Sequence, residues 1–127
     1  SMRTYFNNMN TYHISYAAFS AKDYSKDNDY IRLRRYDPEG TGLTGTDVPG
    51  DVFKTGLFRP FETYHIKVIK FENTIEMHIQ HKEFAGHQLV CKWDVSEFAD
   101  CDNGRIGLRH MYTRSAQYKN FKVWSIK

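Results

Sequence analysis

The sequence predicts an all-β domain, an antiparallel β-sandwich or jelly roll, and three observations lead to this fold class. Apolar and polar residues alternate at every second position in several short segments. Clusters of turn-forming residues separate these segments at fairly even spacing, and no long amphipathic helical pattern interrupts them. With 127 residues, 40% of them hydrophobic, the chain is expected to form a single domain, residues 1–127, around one core. Ser1 and Met2 are interpreted as a tag remnant before the native chain.

The first two predicted strands cover residues 12–16 and 30–34. Alternate side chains in both are apolar or aromatic and share one side of the strand: Tyr12, Ile14 and Tyr16, then Ile31 and Leu33. The intervening side chains share the opposite side: His13 and Ser15, then Tyr30, Arg32 and Arg34. We therefore expect Arg32 and Arg34 to project together from one face of a sheet.

Residues 37–56 are rich in glycine and contain two prolines, which predicts a long loop with a short strand near Leu43. A loop of this length either borders a functional site or is a surface excursion, and the sequence leaves both interpretations open.

The second half of the chain continues the alternation. Residues 64–71 and 75–80 predict two strands joined by a turn at 72–74. Residues 87–93 predict another strand, with Leu89 and Cys91 on one side and Val90 and Lys92 on the other. A short helical turn is expected within residues 94–102, followed by strands at 105–111 and 118–126.

Charge and composition exclude several classes of partner. The net charge of +3 is dispersed without a long cationic run, which argues against a nucleic-acid partner. No apolar stretch is long enough to cross a membrane as a helix, and no secretion signal is evident. The 16% aromatic content suits strands and also suits stacking against sugar rings. Cys91 and Cys101 either pair or remain two thiols, so the redox compartment stays open.

Five segments together resemble the bacterial YesU-like family, a domain of unknown function with a concanavalin A-like lectin/glucanase jelly roll. The segments are residues 10–16 (NTYHISY), 31–35 (IRLRR), 93–94 (WD), 104–111 (GRIGLRHM) and 118–124 (YKNFKVW). The resemblance implies a protein of the bacterial cytoplasm, periplasm or exterior that acts in polysaccharide utilisation, notably of plant pectic glycans. It covers nearly the whole chain but matches the C-terminal part of the family domain. The sandwich is therefore expected to be incomplete, with a homodimer or a companion segment covering its exposed apolar faces.

Residue types on the predicted strands favour a lyase over a retaining hydrolase, if the domain is an enzyme. A hydrolase needs two carboxylates that flank one glycosidic bond, and no Glu-x-Asp pattern supplies them. A polysaccharide lyase needs a cation to neutralise a uronate and a Tyr or His as base, and these types are present. The candidate substrate-binding residues are Asn10, Tyr12, His13, Tyr16, Arg32, Arg34 and Arg109. A row of arginines at alternate positions is more often a solvated sheet face than a binding site, and no catalytic residue is assigned.

No metal or cofactor is expected. His78 and Gln80 share a face while His81 points to the other side, so no strand presents a pair of histidines. Residues 100–104 (DCDNG) resemble a calcium loop but lack the full spacing of oxygen ligands, and a hairpin turn explains them better. Trp93 is interpreted as a core residue whose N–H is bonded at the rim of the sheet, rather than as a sugar platform.

Two functions follow from these observations. The first is a carbohydrate-active or carbohydrate-binding domain for a plant-type polysaccharide with acidic units. The alternative is a noncatalytic interaction domain that completes a sandwich with a partner chain.

Overall fold

In a computed structural model, the residues described are 10–16, 30–37, 45–53, 55, 57–58, 62–83, 86–99, 101, 119 and 121–123. Within these ranges the chain forms seven strands in two antiparallel sheets and no helix. The predicted all-β sandwich class is confirmed, whereas the jelly-roll connectivity stays a prediction. No helix in the described ranges is long and apolar enough to cross a membrane.

The first sheet is built around its central strand β2. The strands are β1 (Thr11–Tyr16), β2 (Tyr30–Tyr36), β3 (Thr46–Asp47) and β4 (Val52–Phe53). Strand β2 pairs with β1 along one edge, and with β3 and β4 along the other. Ile31 and Leu33 are fully buried while Arg32 and Arg34 are half-buried, so the predicted alternation is confirmed.

The second sheet is the predicted hairpin with one more strand. Strands β5 (His65–Phe71), β6 (Thr74–Gln80) and β7 (Gln88–Asp94) lie side by side in chain order. Glu72 adopts a φ of 51° in the two-residue turn between β5 and β6. Ile75, Met77 and Ile79 of β6 are buried, and the polar residues between them are half-buried.

A β-bulge in β7 changes the predicted sides of that strand. Met77 lies opposite Cys91 but His78 lies opposite Leu89, so Val90 is an extra residue in the ladder. Leu89 is consequently exposed on the outer side, while Val90 packs against the core beside buried Cys91. The prediction that Leu89 and Cys91 share one side is therefore wrong. Strict alternation fails here because one inserted residue reverses the side of every residue beyond it.

The two sheets share one hydrophobic core. Ile31 and Leu33 of β2 belong to the same buried cluster as Met77 of β6 and Trp93 of β7. Trp93 is fully buried and its indole N–H donates to Asp51 at 3.2 Å, which confirms the structural role predicted for it.

Three local predictions agree only in part with the described residues or lie partly outside them. The loop at 37–56 contains β3 and β4, whereas Leu43 lies outside the described residues. Residues 95–98 form a turn, with Phe98 N–H donating to Val95 O at 3.1 Å, and the described part of 94–102 contains no helix. Residues 119 and 121–123 are not in a strand, and the predicted strand at 105–111 lies outside the described residues.

Among the described strands, β5 lies at the edge of the second sheet, and its inner side is only partly covered. Ile66 and Val68 lie beside buried Ile79 and Met77, yet they remain 37% and 48% exposed. Lys70, on the same side of β5, lies near Tyr12 of β1. The predicted exposure of apolar sheet surface is thus observed at this edge.

Candidate functional site

The candidate site is the outer face of the first sheet, meaning the side turned away from Ile31 and Leu33. Register places His13, Arg34 and Asp47 in one row across β1, β2 and β3. Ser15 and Arg32 form the next row, and Tyr30 lies opposite Phe53 on β4. The structure therefore brings three predicted residues, His13, Arg32 and Arg34, to one surface.

Arg34 and Asp47 form the most accessible polar pair of the outer face. The Nε–H of Arg34 donates to Asp47 Oδ1 at 2.8 Å, and the two side chains are 34% and 59% exposed. This hydrogen bond is the main reason that the pKa of Arg34 is raised above its usual value, and a bond with Tyr36 adds to it. A guanidinium has five N–H donors, and Asp47 uses the one on Nε. The pair therefore offers both donors and a carboxylate to an incoming ligand.

Arg32 is held by neighbouring side chains and is largely shielded from solvent. Its guanidinium carbon lies 5.3 Å from the ring centroid of Tyr30 and 5.5 Å from that of Phe53. Its Nε lies 3.4 Å from Asp51 Oδ2 without the alignment of a hydrogen bond, and the side chain is only 21% exposed. Cation–π contacts and an ion pair thus fix the arginine, and the arginine in turn orients the two rings.

Asp51 ties the outer face to the core and was not predicted from the sequence. Its Oδ1 accepts the backbone N–H of Leu33 at 2.9 Å and the indole N–H of Trp93 at 3.2 Å. Residue Val48 lies between β3 and β4, and its N–H donates to the Leu33 carbonyl oxygen at 3.0 Å. The Leu33 N–H donates to the Asp51 side chain instead of to the backbone of a neighbouring strand. One carboxylate therefore links the first sheet, the second sheet and Arg32.

Gly50 permits the approach of this loop to the second sheet. Its φ is +126°, and a Cβ there would lie 2.9 Å from the Lys92 carbonyl oxygen and from Trp93 Cδ1. A larger residue would combine an unfavourable backbone conformation with a clash against backbone.

The remaining predicted residues lie elsewhere. Tyr12 and Tyr16 point to the inner side and pack against the core, with Tyr16 stacked on Phe58 at 4.8 Å between ring centroids. Asn10 is exposed, and its carbonyl oxygen accepts the Cys101 thiol at 3.2 Å. Arg109 lies outside the described residues. The structure therefore divides the candidate residues between two sides of the sheet.

Tyr12 is unsuited to act as a base on the outer face. Burial raises the pKa of its phenol above the usual value, although the charges of Arg35 and Lys70 oppose this effect. Its ring instead covers the Arg35 guanidinium, whose central carbon lies 5.1 Å from the ring centroid.

Arg35 is a buried cation that was not singled out from the sequence. Its side chain lies on the inner side with Ile31 and Leu33 and is 1% exposed. The guanidinium donates to the carbonyl oxygens of Thr11 at 3.3 Å and Ala99 at 3.2 Å, and to that of Tyr36. It therefore connects β1 and β2 to the chain that follows β7. Extending the alternation of residues 30–34 by one residue places Arg35 on the inner side with Ile31 and Leu33.

A second polar cluster surrounds His81, which is buried after β6. Glu62 Oε2 accepts the Tyr64 hydroxyl at 3.1 Å and lies 3.3 Å from His81 Nε2, while Tyr64 stacks on His81. His81 Nδ1 accepts the Glu83 N–H at 3.3 Å on the other side of the ring. Because Glu62 and Glu83 approach opposite ring nitrogens, they cannot converge on one ion. Across the described residues, no group of His, Cys, Asp and Glu forms a metal site.

Within the described residues the cysteines form no disulfide, and Cys91 is not an activated nucleophile. Cys91 and Cys101 are both free thiols. Burial, with a smaller contribution from the Asp51 charge, raises the pKa of Cys91 to about 11. This thiol is therefore protonated at neutral pH and unreactive as a nucleophile.

The acidic side chains described on the outer face are paired with cations. These carboxylates, Asp47 and Asp51, are both held by arginines. The rings of Tyr30 and Phe53 lie on either side of the Arg32 guanidinium.

No protein-family model matches this chain, and searches of curated proteins and of solved structures gave no significant match. The resemblance to the YesU-like family therefore stays a prediction.

Proposed function

We propose that the outer face of the first sheet binds a carbohydrate without cleaving it. The observation that carries this proposal is that an aromatic pair, Tyr30 and Phe53, and the exposed Arg34–Asp47 pair lie on the same face of one sheet. Phe53 is 38% exposed, so part of its side chain is open to a ligand.

The geometry suits a sugar because a pyranose has an apolar C–H face and a rim of hydroxyls. The ring of Phe53 offers an apolar surface to one sugar unit, and Arg34 and Asp47 offer donors and acceptors to the hydroxyls of another unit further along β2. Tyr30 and Arg34 are four residues apart on β2, which corresponds to about 13 Å along an extended strand. This distance exceeds one sugar ring, so an oligosaccharide rather than a monosaccharide is the expected ligand.

The proposal agrees with the functions expected from the family resemblance, namely the binding of a plant-type polysaccharide by a concanavalin A-like jelly roll. It requires no metal or cofactor. It assigns no catalytic residue, and Tyr12 faces the core.

Two substitutions test the carbohydrate proposal. We expect Arg34→Ala to weaken oligosaccharide binding about 10- to 100-fold, because hydrogen bonds to charged groups contribute about 1.5–3 kcal/mol. Phe53→Ala should weaken it roughly 2- to 10-fold through loss of ring contact. A glycan array followed by calorimetry on the best ligand measures both effects. Lys67→Ala, exposed on the second sheet, is the control that should bind like the wild type. Unchanged affinity in both test variants, with native circular dichroism, would refute the assignment.

A second candidate function is supported by the uncovered edge of β5. Ile66 and Val68 are inner-side residues that a complete sandwich would bury, yet both are exposed. A second copy of the chain that covers this edge would bury both side chains. For such a dimer, sedimentation of the wild type is expected to give twice the mass of one chain. Val68→Asp should reduce the measured mass to that of one chain. Lys92→Asp should leave the measured mass unchanged. A wild-type monomer at high concentration excludes this candidate.

A further inference from the structure

We infer that the Arg34–Asp47 pair makes the outer face select neutral sugars with adjacent hydroxyls over uronates. This inference rests on the proposed carbohydrate function and names the ligand class of the same site. It departs from the expectation of acidic sugar units that the arginine row raises in the sequence.

The first reason is that the charges of the outer face balance. Its described arginines, Arg32 and Arg34, are each matched by an aspartate at contact distance. Asp47 is the most exposed member of these pairs, at 59%. A uronate that approached Arg34 would therefore also approach the Asp47 carboxylate. Attraction by Arg34 and repulsion by Asp47 are each about 1 kcal/mol at 4 Å in water and offset one another, so the charge of a uronate brings no net gain in affinity.

The second reason is that Arg32 is not available as a substitute cation. It lies between the rings of Tyr30 and Phe53 and faces Asp51, which is itself held by the Leu33 and Trp93 N–H groups. Releasing Arg32 towards a ligand would break the cation–π contacts and the ion pair together. Arg34 is therefore the arginine of this face that meets a ligand.

The third reason is that the pair matches a diol. A hydroxyl both donates and accepts, so one hydroxyl can donate to Asp47 while its neighbour accepts from Arg34. The bond between Arg34 Nε and Asp47 Oδ1 fixes the relative position of these two groups before the ligand arrives. Bonds that involve an ionised partner are also stronger than neutral ones. A carboxylate could use only the arginine half of this arrangement.

The experiment compares one oligosaccharide backbone in two charge states. Calorimetry would measure wild-type binding of an oligogalacturonide and of the same oligomer with its carboxyl groups reduced to hydroxymethyl groups. We expect the neutral form to bind at least fivefold more tightly. Asp47→Asn should lower the ratio of neutral to oligogalacturonide affinity at least fivefold, because it removes the repulsion of the uronate and weakens the bond to a neutral hydroxyl.

Asp94→Asn is the matched control, because it removes one exposed carboxylate from the second sheet. If wild-type protein prefers the oligogalacturonide, or if both variants shift affinity equally, the selection by Asp47 is overturned while the carbohydrate function stands. If a glycan array with neutral and acidic glycans shows no binding to wild-type protein, the proposed function fails and the inference fails with it.

Discussion

Replacing Asp51 with alanine is expected to lower the free energy of unfolding by about 3–5 kcal/mol, which is a large share of the stability of a domain of this size. The carboxylate accepts the Leu33 backbone N–H and the Trp93 indole N–H and faces Arg32. Alanine would leave two buried donors unsatisfied and a half-buried guanidinium without its counter-charge. Each of these losses costs more than a typical surface contact contributes.

Asp51→Asn separates the hydrogen bonds from the charge. The amide oxygen can still accept from Leu33 and Trp93, so we expect a loss of about 1–2 kcal/mol from the weakened contact with Arg32. Urea denaturation followed by circular dichroism measures both variants. Asp47→Ala is the matched control, because its pair with Arg34 lies at the surface and should contribute less than about 1 kcal/mol. A loss for Asp51→Ala no larger than that of the control would show that the buried bonds are dispensable.

The alternation of side chains predicted most of the fold correctly because its cause is local. Successive residues of an extended strand point to opposite sides, so the burial of Ile31 and Leu33 and the outward direction of Arg34 follow from spacing alone. The hairpin of β5 and β6 is equally local, since a two-residue turn fixes its register.

The contacts that shape the candidate site depend on chain segments that are distant in sequence. Asp51 meets Leu33 and Trp93 only because the loop folds over β2 and against β7. Nothing in the local sequence around Asp51 identifies those donors. The bulge at Val90 is similar, because its extra residue becomes visible only when β7 is aligned with β6.

The candidate site was predicted as one group of residues because residue type was given more weight than side. Tyr12 and Tyr16 have functional groups typical of sugar sites, yet the same alternation that exposes His13 places them on the inner side. Arg35 was overlooked for the converse reason. Arginine is rarely buried, so its position in step with Ile31 and Leu33 did not suggest a place in the core.

Removal of the Arg35 side chain is expected to destabilise the fold by about 2–4 kcal/mol. Arg35→Ala removes the donors that satisfy the carbonyl oxygens of Thr11, Tyr36 and Ala99, and it leaves a void beneath the Tyr12 ring. The loss should appear as a lower midpoint in urea. Arg34→Ala, one residue away on the outer face, should cost less than about 1 kcal/mol because its carboxylate partner is exposed to solvent.

Arg35→Met decides whether the charge or the volume of the side chain matters more. Methionine fills similar space and avoids the desolvation of a buried cation, which costs several kcal/mol for an ion in a protein interior. Against this, three bonds from a charged donor, at about 1.5–3 kcal/mol each, are lost. Because those bonds together match or exceed the desolvation cost, we expect Arg35→Met to lie about 1–2 kcal/mol below the wild type and above Arg35→Ala. A methionine variant as stable as the wild type would mean that the guanidinium makes no net contribution and that Arg35 acts only by filling space.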